Sequence, residues 1–489
     1  MNKPTERRSR RGRNRGGEDV ALPNRSERYR QLRHPFEPQR VFSDDRVADM
    51  HQMALRVLSE LGIKILSDEA RAVFAKAGAS VDETDLMVRI GPEIIAEALR
   101  TAPSSWRMRA ASKAREQAFE EGTLMFVAGS GCPNANDMER GRRPGDLASY
   151  IETVKLQQHC DVIHVFGPTC EPQDVPAHTR HYDLIHAQLT LGDKPMFVYS
   201  RGTKQVEQSL ELIRLAHNLS DDDFTDGIWA TTIINTNSPR QIDIPMAQGL
   251  MDFARHRQLS VVTPFCLAGA MAPVTVEGAL VLQHAEALAA IALVQLVNPG
   301  APVAYGGFAS NVDMKSGAPA FGTPEHVRCT IGSGQLARHI GLPWRSAAGA
   351  ASNTADMQAA GETHNSLWAG MQANATLMLH AAGWLEGGLT FGYEKFINDI
   401  EACQTLAELC LREPELEGDL AWDAIADVQP GGHFFATQHT MDRYRDAFYP
   451  PMLADLQNFG AWTEAGEKTS TERARDMWKG IVSAFEAPK

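Results

Sequence analysis

The chain has 489 residues and a mass of 53.6 kDa, with 43% hydrophobic and 22% charged residues and a formal net charge of −13. These values exclude a disordered or collagen-like chain, and without a charge-free apolar run of about 18 residues a transmembrane helix is not expected. No apolar stretch follows the basic start as a secretory signal would require, and seven scattered cysteines without a Cys-x-x-Cys pair suit a reducing cytoplasm, not a disulfide framework.

Charge is uneven. Residues 1–33 carry eleven Lys/Arg against four acidic residues, leaving the rest of the chain at −20. An Arg/Gly-rich arm of this kind can contact nucleic acid or an acidic partner, but it lacks interleaved aromatics for stacking on bases. Read as a disordered tail on an acidic body, it makes nucleic acid an unfavoured partner.

After the arm, Asp44 to Leu61 reads as an amphipathic helix with Val47, Met50, Ala54, Val57, Leu58 and Leu61 on one stripe. Ser43 or Asp44 caps its start and Gly62 stops it. A strand at Ile63–Leu66, a helix at 68–77, a strand at Val88–Ile90 and a helix at 92–101 opened by Pro92 complete an α+β leader.

From residue 125 short apolar runs alternate with helical windows. The runs are Met125–Ala128, Val162–Phe166, Met196–Tyr199, Ile228–Ile234, Ser260–Thr263, Pro302–Tyr305, Leu342–Arg345 and Leu377–His380, and their starts lie 32 to 42 residues apart. Strand–helix alternation at this period marks a parallel sheet, and eight units predict a (β/α)8 TIM barrel. A dinucleotide fold is disfavoured. Gly129-Ser-Gly131 lacks the third glycine and is followed by Pro133, while Gly332-Ser-Gly334 falls inside a helical window. The expected organisation is a basic arm at 1–33, an N-terminal α+β extension at 34–120, the barrel at 121–415 and a C-terminal helical or lid segment at 416–489.

In a barrel of this kind chemistry sits where the strands run out into βα loops. Those positions offer no lysine for a Schiff base and no His-x-His or His-Glu-x-x-His pattern, so no bound metal is expected. His178 with His181, and His433 with His439, read as structural. The last unit instead gathers aromatics around a carboxylate: His380, Trp384, Glu386, Phe391 and Tyr393, with Phe265, Phe197, Tyr199, Tyr305 and Phe308 at neighbouring strand ends. Ring faces around a negative group suit a quaternary ammonium ion, which has no N–H to donate; each desolvated face contributes roughly 0.5–2 kcal/mol. The alternative use of the same residues is loop packing, with Glu386 capping a helix.

Several long motifs carry a resemblance. Ala268–Thr275, Tyr305–Met314, Ser316–Pro324, Gly383–Lys395 and Gly431–Phe435 resemble the trimethylamine methyltransferase family, as do Tyr29–Phe36 and Ala102–Ser105. The resemblance spans nearly the whole chain. It implies a (β/α)8 barrel that moves a methyl group from a methylamine to the Co(I) corrinoid of a separate carrier protein. Trimethylamine enzymes with pyrrolysine differ from this chain, which has only standard residues and small side chains over Ser346–Asn353, the expected counterpart stretch. The resemblance therefore points to the branch similar to glycine betaine:corrinoid methyltransferases, acting on a quaternary or tertiary amine.

On that footing Trp384, Tyr305 and Phe308 are expected to form the cage, with Phe265 beside them, and Glu386 to supply the countercharge. His380 or Asn311 would bind a substrate carboxylate. No catalytic side chain is assigned, because Co(I) of the partner is the nucleophile and the enzyme's task is orientation. The expected partners are the corrinoid carrier and a small quaternary amine, without a membrane, and self-association stays open. Two alternatives remain: a trimethylamine enzyme lacking pyrrolysine, and a non-catalytic binding protein that uses its Arg-rich arm.

Overall fold

The computed structural model describes residues 29–411, 417–445 and 447–488. The basic arm up to residue 28 lies outside them. Eight strands follow the eight apolar runs: β1 (Thr123–Val127), β2 (Ile163–Val165), β3 (Met196–Phe197), β4 (Ala230–Ile234), β5 (Leu259–Val262), β6 (Val303–Gly306), β7 (Trp344–Ala347) and β8 (Leu377–Leu379). All pairings among them are parallel. β3 through β8 pair in chain order, β8 pairs with β1 (Leu377 opposite Met125, Met378 opposite Phe126), and β1 pairs with β2. Between β2 and β3 no ladder forms among the described residues. One backbone hydrogen bond joins their ends, from the Phe166 N–H to the Pro195 carbonyl (3.0 Å).

A helix follows each strand: α1 (Leu147–His159), α2 (Arg180–Leu191), α3 (Thr203–Ala216), α4 (Ile244–Arg255), α5 (Val276–Val297), α6 (Pro324–His339), α7 (Met357–Gln372) and α8 (Tyr393–Leu409). Several begin on side-chain caps written in the sequence. Asp146, Asp243, Thr275, Thr323 and Asp356 each accept from a backbone N–H of the first turn, a contribution of about 1 kcal/mol per cap.

Because side chains alternate along a strand, Met125, Val127, Val165, Leu259, Val261, Ala304, Leu377 and Leu379 meet on the concave side of the sheet in one buried cluster. The sheet is therefore curled enough to bring β1, β2, β5, β6 and β8 together. The antiparallel hairpin Ser105–Met108/Gln117–Glu120 floors this cluster with Met108 and Phe119, and Trp106 stacks on Phe119 at 4.9 Å.

Helix α5 is apolar on every side because it is covered on every side. The leader helices Asp44–Arg56 and Pro92–Thr101 pack over it, with α4 and α6 as flanks. At 22 residues it is long and apolar enough to cross a membrane by length and composition, although Glu286 interrupts its apolar run, and 78% of its apolar window is buried inside the protein. The leader otherwise follows the expected elements, with Asp44–Arg56 continuing as a π-helical turn over Val57–Leu61 before Gly62 at φ 76°.

The C-terminal stretch divides. Tyr449–Lys489 belongs to the same compact unit as Arg28–Cys410, and its helix Ser470–Ser483 packs on α8 and α1, with Trp478 Nε1–H donating to Glu394 (2.9 Å). Leu411–Phe448 falls in a second unit, with short helices at Trp422–Asp427 and Gln438–Arg443.

Candidate functional site

Among the described residues, the segment leaving β8 holds a dense run of positive-φ backbone. His380 (φ 59°), Gly383 (φ 84°), Glu386 (φ 53°), Gly387 (φ 61°) and Gly388 (φ 106°) all occupy the left-handed region within nine residues, where non-glycine residues are costly. What it achieves is the placement of Trp384. The indole slots between glycines: a Cβ on Gly349 would lie 2.2 Å from its Cε3, and one on Gly388 2.6 Å from its Cζ2. Its Nε1–H donates to the Ser130 carbonyl (3.3 Å). The turn is anchored from α8, where Asp399 accepts the Gly383 N–H (2.8 Å) and is paired with the buried Lys395, whose Nζ also donates to Thr363 (2.8 Å).

His380 stacks on Trp384 (centroids 4.5 Å apart, 22°). Its Nδ1 accepts the Ser130 N–H (3.2 Å), so the ring proton belongs on Nε2. Burial, and then the nearby Arg345 charge, hold its pKa well below the usual histidine value. The imidazole is neutral at pH 7.

Phe308 is the hub of the ring cluster. Its centroid lies 4.7 Å from Phe265, 5.6 Å from His380, 5.9 Å from Phe321 and 6.2 Å from Trp384, and Phe321 meets Trp384 edge-on at 5.2 Å. The Arg345 guanidinium lies over the Phe308 ring, 4.4 Å from its centroid. Phe308 is positioned from behind: its N–H and that of Ala309 both donate to Gln283 Oε1 on α5 (3.0 and 2.9 Å).

The seven residues singled out by sequence thus divide. Phe308, Phe265, His380 and Trp384 come together at the C-terminal ends of the parallel strands. Tyr305 does not. Ala304 takes the inward position on β6, so Tyr305 points outward to α5, where its hydroxyl accepts from Gln283 (3.0 Å) and meets His284 Nδ1 (3.3 Å). It supports the loop that carries Phe308. Asn311 is engaged within its own loop, its Oδ1 accepting from Thr323 (2.7 Å) and its Nδ2 donating to the Val312 carbonyl (3.2 Å). Glu386 is ion-paired with Arg142 (2.9 Å), a half-exposed partner, which compensates the charge expected to face a cation.

Two residues went unselected in the sequence. Phe321 lies within the Ser316–Pro324 motif. Arg345 ends the seventh apolar run, and period-two alternation is the signal for it: Trp344 faces outward, with its indole N–H on the Asn374 carbonyl (3.0 Å), and Ser346 faces α7, so Arg345 between them faces inward. Among the described residues no group of three or more His, Cys, Asp or Glu could hold a metal ion.

Rings, one guanidinium and one neutral imidazole gathered at one end of the sheet are side chains that can orient an organic ion. The sequence profile of the trimethylamine methyltransferase (MTTB) family matches residues 7–489. The chain belongs to that family. It is 31% identical over 451 residues to the glycine betaine methyltransferase of Desulfitobacterium hafniense strain Y51, covering 92% of this chain and 93% of that one. The trimethylamine methyltransferase MttB of D. hafniense strain DSM 10664 / DCB-2 is 27% identical, over 91% and 89% of the two chains. The L-carnitine:corrinoid methyltransferase of Eubacterium limosum is 25% identical, over 91% and 93%. Membership makes this protein a methyltransferase, and the ring cluster lies within a family match that runs almost the length of the chain.

Proposed function

We propose that the protein transfers a methyl group from a quaternary amine of the betaine type to the Co(I) corrinoid of a separate carrier protein. The observation that carries this reading is the convergence of Phe308, Phe265, Phe321, His380 and Trp384 at one end of the parallel sheet, around side chains that can orient an ion. The most similar of the relatives named above acts, by its name, on glycine betaine, and another is named a corrinoid methyltransferase.

The corrinoid is the methyl acceptor and supplies the nucleophile. In the transfer the methyl–nitrogen bond breaks and its electron pair stays on nitrogen. A quaternary nitrogen then departs as a neutral tertiary amine, with no proton to be supplied; a tertiary amine would first need one. The rings around Phe308 hold the cationic nitrogen through their quadrupoles, Trp384 and His380 fix the direction of approach, and the buried surroundings exclude water. A carboxylic acid beside the nitrogen is not required, which agrees with Glu386 being spent on Arg142.

In the same reading the eight strands form a (β/α)8 barrel, supported by the β8–β1 pairing and by the Phe166–Pro195 hydrogen bond across the remaining gap. The enzyme works in the cytoplasm, which suits its seven unpaired cysteines.

The test is a screen of the full-length protein with free cob(I)alamin and glycine betaine, carnitine, proline betaine, choline or trimethylamine, following methylcobalamin by absorbance. Methylation from a betaine without S-adenosylmethionine is expected. Methylation from trimethylamine alone, or from none of the five, would overturn the reading.

A further inference from the structure

Arg345 is about 1% exposed and carries a charge that no acidic group among the described residues offsets. One nitrogen, Nη1, reaches the Gly307 carbonyl at a long 3.4 Å, and Nε has no hydrogen-bond partner among the described residues. Burial alone lowers its pKa, to about 9, with no acidic group contributing in the other direction, so the guanidinium stays positive at neutral pH. An unpaired buried charge is among the costliest arrangements a fold can keep. Arg71, another arginine buried to comparable depth, shows the usual arrangement: it is held by both Asp68 and Glu83.

The second unused donor is close by. His380 touches the same Phe308 ring that Arg345 covers, its Nδ1 is occupied by the Ser130 N–H, and among the described residues no hydrogen bond engages its Nε2–H. A guanidinium fork and an imidazole N–H flank one aromatic ring, with Trp384 and Phe265 around it.

We propose that Arg345 and His380 form the receptor for the carboxylate of a zwitterionic substrate, and that Arg345 makes the site select betaines over methylated amines that lack a carboxylate. This rests on the reading that the ring cluster binds a methylated amine, and it names the feature that decides which one. The guanidinium binds a carboxylate through two parallel N–H bonds. The same charge repels a cation that arrives without an anion of its own. Choline or trimethylammonium would bring a second positive charge beside an unscreened guanidinium, whereas a betaine brings its countercharge one methylene from the nitrogen. Discrimination thus has an attractive and a repulsive part.

The experiment is isothermal titration calorimetry of the full-length protein with glycine betaine, choline and 3,3-dimethylbutyrate, the uncharged-carbon isostere of betaine, in the wild type and in Arg345→Met and Arg345→Lys. In the wild type, betaine is expected to bind at least 100-fold more tightly than choline. Arg345→Met should weaken betaine at least 50-fold and leave choline unchanged or tighter, while Arg345→Lys, which keeps the charge but not the fork, should fall between. The apo Arg345→Met protein should melt no lower than wild type, since it loses an unpaired buried charge. Equal wild-type affinity for betaine and choline, or equal weakening of both by Arg345→Met, would overturn the proposal; if Arg345→Met does not fold, the wild-type comparison and Arg345→Lys still decide it. Wild-type binding of 3,3-dimethylbutyrate but of neither amine would refute the methylated-amine reading and leave the carboxylate receptor standing, and binding of none of the three would end both.

Discussion

Single side chains in this site do separable jobs, and substitution should separate them. Phe308 presents its ring to Arg345 and to the other aromatics, so Phe308→Leu removes the quadrupole at a modest volume change. A loss of roughly 0.5–2 kcal/mol in cation binding corresponds to a KM for betaine about 2- to 30-fold higher, measured in the cob(I)alamin assay. Tyr305→Phe removes a hydroxyl engaged with Gln283 on α5. It should cost about 1 kcal/mol of stability in urea denaturation and leave KM within about twofold; a tenfold rise would return Tyr305 to the ring cluster. Glu386→Gln breaks an ion pair whose Arg142 partner is half exposed, a loss of about 0–1 kcal/mol. Its KM should change less than about threefold, and a larger rise would make Glu386 the substrate's countercharge after all.

The decisive element is the turn after β8, whose shape is fixed from outside itself. Gly349 and Gly131 both have positive φ (149° and 77°), but a Cβ on Gly349 meets the Trp384 ring while one on Gly131 meets nothing within 4 Å. Gly349→Ala should therefore displace the indole and cut kcat/KM by tenfold or more, with quenched or shifted tryptophan fluorescence. Gly131→Ala should cost only backbone strain, about 1 kcal/mol, and keep kcat/KM. Similar losses in both would mean that Trp384 placement is not what limits the reaction. This level was only partly legible in the sequence. The aromatic composition of His380–Glu394 and its position after the last strand could be read directly, since strand ends follow from the spacing of apolar runs. Tyr305 was misdirected because a strand end alone does not say which face a residue takes; its neighbour Ala304 claims the inward side. The Arg142 partner of Glu386 lies 244 residues away, and no local pattern announces such a pair. Arg345 was hidden by its own position, a lone charge at the end of an apolar run.

At the scale of the molecule, eight units of similar length carried their own signature: apolar runs of strand length, helical windows between them, and a period of 32 to 42 residues. Less legible was why α5 is uniformly apolar, because the helices that cover it come from the leader, more than 170 residues earlier. The packed interior also sets a response to acid. His34, His164 and His326 are held neutral chiefly by burial, at about 4, 3 and 4 against the usual 6.5. Below about 6.5 the unfolded chain takes up protons at these sites that the folded chain refuses until about 4, so stability should fall as pH drops through that window. The urea midpoint should be lower at pH 5.5 than at pH 7.5; an unchanged midpoint would mean these histidines protonate in place. The central claim, that a quaternary methylamine bound among these rings gives up one methyl to Co(I), is tested most directly by isotope tracing. Glycine betaine labelled with 13C in its methyl groups, incubated with the full-length protein and excess cob(I)alamin, should yield labelled methylcobalamin and labelled dimethylglycine in a one-to-one ratio. Label that remains wholly in betaine, or methylcobalamin formed without dimethylglycine, would contradict it.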